Sequence, residues 1–482
     1  MTAVITDILK KQILVDIFDD VASNSGVVDS AGDTGGYYTI GIGRSEPWND
    51  SDVAPTALNS LREQRNFRQG LQSIKAAEDV SFSVPRNNWA SSSIYSGYDD
   101  AVQGYPTDYP YYVITEDNRV YICLNQGKNT SGEAVPSTVK PDLTHTRVTS
   151  FKTADGYVWK FLYTLSATRV SKFLSSNFMP VQLQGPVVAG RTQADSDQHL
   201  IELATITGQI ANIEVTAGGT GYTSAPTVAI IGNGDSKIDA THAGVIGESC
   251  SATAIISGGS VVNVILNLDS AASIASNPTH KVRHGRGYDF ANITFSGGAG
   301  SGATARAALS TPLGFGGDAR DDLKATSLMF NTKPAGTESG KFLVGQDFRQ
   351  VALIRNPKDS ADAFYTGATG LGLRKLNLAS VGTAFTTDKT ILGGTSGAKG
   401  FIDFDSGLEI FYHQTEATGF TPFAAGENIT EVSGSGAGVA AAVIDSDHDI
   451  SRLKGDILYI ENRAAIDRTS DQTEDIKVII QI

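Results

Sequence analysis

DGYVWKFLY, residues 155 to 163, decides the class of fold. Asp155-Gly156 reads as a tight turn, and Tyr157 opens YVWKFLYTL (157 to 165), a strand of aromatic and β-branched residues. On a period of two, Trp159, Phe161 and Tyr163 share one face, opposite Val158, Lys160 and Leu162. Trp159 therefore reads as core, with an interface as the alternative. Further strands are expected at YYTIGIG (37 to 43) and at 80 to 84, 110 to 115 and 119 to 124. The chain ends on IKVIIQI, where Ile476, Val478, Ile480 and Ile482 alternate with Lys477, Ile479 and Gln481. With 51 Gly against 3 Met, the composition suits short strands joined by tight turns.

One stretch carries a persuasive helical pattern. In VITDILKKQILVDIFDDVA (4 to 22), Ile5, Ile8, Leu9, Ile13, Ile17, Phe18 and Val21 recur near a 3.6 period, with Asp7, Lys10, Lys11 and Asp19 on the other face. Such a helix packs on its own core, the favoured reading, or on a partner. Residues 56 to 78 read as a second, polar helix.

A chain of 482 residues exceeds what one core usually supports. Two segments differ in texture from the rest. At about 200 to 310, poor in aromatics, GQIANIEV (208 to 215) matches GSVVNVIL (259 to 266). GTGYTSAPTVAI (219 to 230) likewise matches GRGYDFANITF (285 to 295), and CSATA (250 to 254) matches SGATA (301 to 305). Two small β-units stacked on each other are expected there. At 381 to 446, Phe385 and Ile391 pair with Phe423 and Ile429, and a Ser-Gly-Ala follows in each case. The expected plan is mainly β: a multidomain β-sandwich core with two inserted Gly-rich small β domains and an N-terminal helix. In chain order these are a helix and linker (1–35), a first core segment (36–199), the repeat domain (200–310), a second core segment (311–380), the duplicated unit (381–446) and C-terminal core strands (447–482).

The net charge of −14 and the lack of any Lys/Arg run argue against nucleic acid as a partner. No stretch has the 18 or so apolar residues that cross a bilayer, and the start lacks a secretory pattern, so a soluble protein is expected. Cys123 and Cys250 read as two reduced thiols. His280 and His284 in HKVRH lack the rest of a zinc motif and read as a solvated basic loop. Asp445, Asp447 and Asp449 lack the other marks of a calcium loop. No phosphate loop or nucleophile elbow is present. No catalytic residue, metal or cofactor is expected, and the protein is not expected to be an enzyme.

Seven motifs in one order resemble the baseplate wedge subunit called gene product eight in T-even-type phages. They are GIGRSEPW (41 to 48), VPRNNW (84 to 89), VYICL (120 to 124), DGYVWKFLY (155 to 163), FRQVALIRNP (348 to 357), GDILYIENR (455 to 463) and DQTEDIKVII (471 to 480). They span about half the chain, roughly 36 to 182, 313 to 357 and 450 to 482. The two Gly-rich segments depart from the family pattern. The resemblance implies a β-rich structural subunit of a contractile-tail baseplate. It would be a late virion protein, assembled in the host cytoplasm, that supports baseplate assembly and rearrangement. Its implied partners are itself as a homodimer and other wedge subunits, with tail fibre or peripheral baseplate proteins as further candidates. No catalytic site is implied.

Within those motifs, Arg44 and Glu46 flank Ser45 at a strand end, where an Arg–Glu pair would orient the turn. Trp48 could anchor an interface or sit buried within the chain. Glu461, Asn462 and Arg463 follow the strand ILYI, with Asp467-Arg468 just beyond; these mixed charges read either as solvated or, as the resemblance implies, as containing a structural ion pair. Trp89, Trp159 and Arg349 complete the interface or structural candidates. The alternative function is a phage glycan-binding or adhesin-type module, with Tyr222 and Tyr288 offered to sugars.

Overall fold

The computed structural model describes residues 5–23, 27–28, 34–49, 53–105, 108–142, 149–185, 192–233, 250–268, 282–442 and 448–482. The protein is mainly β, with 41% strand and 12% helix. It divides into two compact units, Met1–Lys11 with Ser81–Ser327, and Gln12–Val80 with Leu328–Ile482.

The first unit holds an antiparallel sheet in the order Tyr112–Ile114, Arg119–Asn125, Val158–Thr164, Phe151–Lys152. Trp159 and Phe161 enter one aromatic cluster with Tyr95, Tyr121, Phe151 and Tyr157. Tyr95 meets Trp159 edge-on at 5.5 Å, and Tyr157 stacks on it at 5.8 Å, geometries that ring quadrupoles favour. The opposite face is covered too, since Ile122, Leu162 and even Lys160 are buried. Beside this sheet's strands, Phe178–Val181 pairs antiparallel with Asp79–Pro85.

The glycine-rich segment forms one six-stranded sheet in the order Thr227–Gly232, Ala291–Ser296, Ser301–Leu309, Ile210–Thr220, Ser260–Leu266, Ala252–Ser257. Each sequence match is a pair of corresponding strands. The two units do not stack as separate pieces, however: their strands interleave within a single sheet. Tyr222 explains one glycine. Its ring lies so close to the backbone that a Cβ on Gly300 would stand 2.4 Å from it.

In the second unit a five-stranded sheet runs Thr369–Leu371, Leu71–Ala76, Tyr38–Gly43, Asp347–Arg355, Asp456–Asp467. The strand Ser327–Thr332 neighbours the C-terminal strand Ile476–Gln481. The polar helix expected over 56 to 78 is shorter, Leu61–Gly70. Ser60 caps it, its Oγ accepting from Glu63 N at 3.2 Å. Beyond Gly70 the residues LQSIKA become a strand buried between neighbours, a tertiary effect that outweighs local helical preference.

Residues 374 to 440 close into a six-stranded barrel, whose core includes Phe385, Ile391, Phe423 and Ile429 of the duplicated pattern. Its turns are clamped by two buried carboxylates. Glu427 accepts from the backbone N–H of Thr395, Ser396 and Ala424, and Glu431 accepts from those of Thr386 and Gly436.

The N-terminal helix is Asp7–Ser23. Leu14 is buried, but Ile5, Ile8, Leu9 and Ile13 are exposed, Ile8 by 79%. The stripe expected to meet the chain's own core is thus largely solvent-facing at this end. Lys11 pairs with Asp318 at 2.8 Å and Asp321 at 2.6 Å.

Candidate interaction surface

Arg44 follows the strand Tyr38–Gly43 at a place fixed by glycine. Its N–H donates to Gly70 O at 2.8 Å, and a Cβ on Gly70 would stand 2.2 Å from Arg44 O. The guanidinium meets three carboxylates: Nε to Asp347 Oδ1 at 2.9 Å, Nη2 to Asp388 Oδ1 at 2.8 Å, and Nη1 to Asp403 Oδ1 at 3.6 Å. Nη1 also donates to Gln346 Oε1 at 2.6 Å. Burial pulls the guanidinium pKa down, and Asp403, Asp347 and Asp388 more than reverse this, leaving it above its ordinary value. Asp403 is fully buried and lies 2.6 Å from His413 Nδ1, whose ring stacks on Phe401 at 5.4 Å.

The expected Arg44–Glu46 pair is not formed. Asp347, Asp388 and Asp403, brought close by the fold, take the guanidinium instead, and Glu46 accepts from the Thr415 hydroxyl. Arg349 donates to Ser45 O at 2.9 Å and forms an ion pair with Asp347, although Asp347 Oδ2 has no aligned hydrogen bond. Trp48 is half-buried, and its indole N–H donates to Arg463 O at 2.7 Å. Arg44, Glu46, Trp48, Arg349 and Arg463 therefore meet at one corner of the five-stranded sheet. Glu461 accepts from Tyr459 OH at 2.9 Å and faces Arg463 at 3.8 Å. Both charges are substantially exposed, so solvent screens the pair and it adds little stability.

Two concavities border this corner. A groove of about 200 Å³ is lined by Glu46, Trp48, Glu63, Glu416 and Phe420 among others. A cleft of about 290 Å³ is lined by Leu58, Asn59, Gln64 and the run Ile457 to Ile460. Among the described residues, Asp456–Asp467 is an edge strand whose ladder partner is Asp347–Arg355 alone. The run Ile457 to Ile460 carries no charge or proline that would blunt this edge. Leu458 is 44% exposed, Leu58 67%, and Leu61 and Leu453 are also exposed. Arg68 fixes the approach to the strand by donating to the carbonyls of Arg452, Lys454 and Gly455.

Trp89 and Trp159 belong to the first unit. Trp159 is core, and Trp89 packs half-buried on the same cluster, with its indole N–H on Ser137 Oγ at 3.3 Å. Tyr222 and Tyr288 are buried, so neither presents an open ring face to a sugar. His284 is no solvated loop residue. It is buried, with Nδ1 2.6 Å from Ile210 O and Nε2 2.5 Å from Ser150 Oγ, which places the proton on Nδ1 because a carbonyl can only accept. Asp449 accepts from Lys341 Nζ at 2.7 Å and Leu371 N at 2.8 Å. His145, His242, His280, Asp445 and Asp447 lie outside the described residues. Among the described residues, no group of three or more His, Cys, Asp or Glu is placed to hold a metal ion.

Of the mixed charges read as solvated or ion-paired, Arg468 is the one that forms a buried ion pair. It is buried, bonded to both Glu474 oxygens at 2.8 Å and to the carbonyls of Leu343 and Gly336, and lies 4.7 Å from the Phe342 ring centroid. The sequence reading left the pair open but did not name Glu474 as the partner. Cys123 and Cys250 are both buried, and burial pushes the Cys123 thiol well above its ordinary pKa. No described helix is long and apolar enough to cross a membrane. No protein-family model matches the chain, and no curated protein matches it.

Proposed function

We propose that the chain is a structural subunit of a contractile phage tail, placed in the baseplate wedge, that acts by binding neighbours rather than by catalysis. One observation carries the reading. Three of the ordered motifs, GIGRSEPW, FRQVALIRNP and GDILYIENR, lie far apart in sequence yet occupy three adjacent strands of one sheet. Their meeting point holds Arg44, Trp48, Arg349 and Arg463, and among the described residues the outermost strand leaves an apolar edge unpaired. An exposed apolar edge of this kind is a recognised route to strand addition by a partner. The partners in this reading are a second copy of the chain and other wedge proteins.

The test is co-expression of the tagged chain with the other wedge proteins of its phage, followed by affinity recovery. Stoichiometric recovery of at least one wedge protein is expected. Replacing Leu58 and Leu458 with Lys should reduce recovery about tenfold or more, as burying an unpaired charge at an interface does. A folded wild-type chain that recovers none of them would overturn the reading.

A further inference from the structure

We propose that the groove beside Trp48 is an arginine-recognition site, receiving one guanidinium from an extended segment of a partner protein. The inference rests on the assembly reading only in making the partner a protein. It is argued from the groove's charge and its aromatic walls.

The groove and the charges packed around it include four guanidinium groups, Arg44, Arg62, Arg349 and Arg463. Against them stand seven carboxylates: Asp347, Asp388, Asp403, Glu46, Glu63, Glu416 and Glu461, the last facing Arg463. Arg44 is taken by the three aspartates, and Arg349 adds a second cation on Asp347. Arg62 grips Glu416 with two bonds, at 2.8 and 2.6 Å, which with Asn66 hold that carboxyl down at about 2. Glu46 and Glu63 are left. Glu46 has the Thr415 hydroxyl, and Glu63 Oε1 accepts only from the amides of Gln350 at 3.3 Å and Asn462 at 3.4 Å. Among the described residues neither is met by a cation, and both are half-buried.

Two aromatic side chains complete the groove. Trp48 is held in place through its indole N–H, and Phe420 is 42% exposed. Carboxylates beside aromatic faces suit a planar cation, which can bond a carboxylate with two parallel N–H groups and stack on a ring. Lysine supplies the charge without the plane or the fork. Phosphates and acidic peptides are repelled by the groove's excess of carboxylates.

The experiment titrates the full-length chain with three short capped peptides, Ser-Arg-Ser, Ser-Lys-Ser and Ser-Glu-Ser. Tryptophan fluorescence and calorimetry follow binding. Two charge-assisted bonds and one ring contact correspond to a dissociation constant on the order of 1 mM for the arginine peptide. It should bind about threefold or more tighter than the lysine peptide, the glutamate peptide should not bind, and salt should weaken binding. Glu46→Gln with Glu63→Gln should weaken the arginine peptide about tenfold, and Trp48→Phe should remove the fluorescence change. Each variant is first checked for an unchanged melting temperature; ionic-strength and peptide-charge dependence on the wild type stand whether or not a variant folds. No saturation below about 10 mM, a site too weak for these contacts, overturns the inference. So do equal binding of the glutamate peptide and unaltered binding by a folded double variant. Peptide binding with failed recovery of wedge proteins would retain the groove and remove the wedge reading; the reverse result would retain the wedge reading and remove the groove.

Discussion

Arg44→Met gives the most informative perturbation of the second unit. In the wild type one guanidinium, 17% exposed, faces Asp403 at 0% and Asp347 at 9% exposure. Asp388 is 55% exposed, so solvent screens its share, and it is discounted. Removing one partner of a buried ion pair costs roughly 3 to 5 kcal/mol, because the other charge stays buried. Here Asp403 keeps His413 and Asp347 keeps Arg349, which places the expected loss near the lower end, about 3 kcal/mol. For a unit of roughly two hundred residues, that lowers the melting temperature by about 6 to 12 °C. The assay is scanning calorimetry at neutral pH, with near-ultraviolet circular dichroism to assign the transition. Arg44→Lys should fall between the two, since it keeps the charge and loses the fork. Adding Asp403→Asn to Arg44→Met should recover some of the loss by removing the stranded charge. A melting temperature within about 2 °C of wild type for Arg44→Met, less than 1 kcal/mol on the same scale, would refute the reasoning.

Burial raises the Asp322 carboxyl to about 7 and lowers Lys160 to about 8, each partly countered by the other. A raised carboxyl favours folding at low pH, and that contribution fades as pH rises through the folded value. Lys160→Met should therefore lower the melting temperature more at pH 8 than at pH 5, and equal losses at the two values would contradict this. Glu427 has the opposite sign: burial raises its pKa, but the N–H groups of Ser396, Ala424 and Thr395 and the Ser396 hydroxyl outweigh it, leaving the carboxyl below its ordinary 4.5. Its contribution is present above that value and is lost as pH falls through the lower folded value, so Glu427→Gln should reduce stability at neutral pH and flatten the acid limb of a pH–melting curve. Gly300→Ala forces a Cβ into the Tyr222 ring and should cost about 1 to 3 kcal/mol by denaturant unfolding; a neutral result would mean the ring moves freely.

The strands were legible where side chains alternate, as in the C-terminal run from Ile476, and where aromatics cluster, as around Trp159. The repeat was also legible, because corresponding strands carry similar residues. Its interleaving was not, since which strand lies beside which depends on pairing between distant segments. The polar helix was over-extended for a related reason: Leu71 to Ala76 becomes a strand only because neighbours on both sides complete its hydrogen bonds. Most of the corner residues were identified, but their partners were not. Glu46 is Arg44's nearest acidic residue in sequence, whereas Asp347, Asp388 and Asp403 reach it through the fold. Arg468 shows the same limit: an ion pair among those strand-end charges was left open, but its partner Glu474 becomes evident only in the fold.

If the chain is, as proposed, a phage protein, the most direct test of the central claim is to purify that phage's particles and locate the chain in them. Quantitative mass spectrometry of isolated baseplates, with electron cryo-microscopy of the tail, would do so. The account predicts the chain within the wedges, in a copy number set by the baseplate's six-fold symmetry. Its absence from mature particles, or its presence only at the fibre tips, would contradict the account.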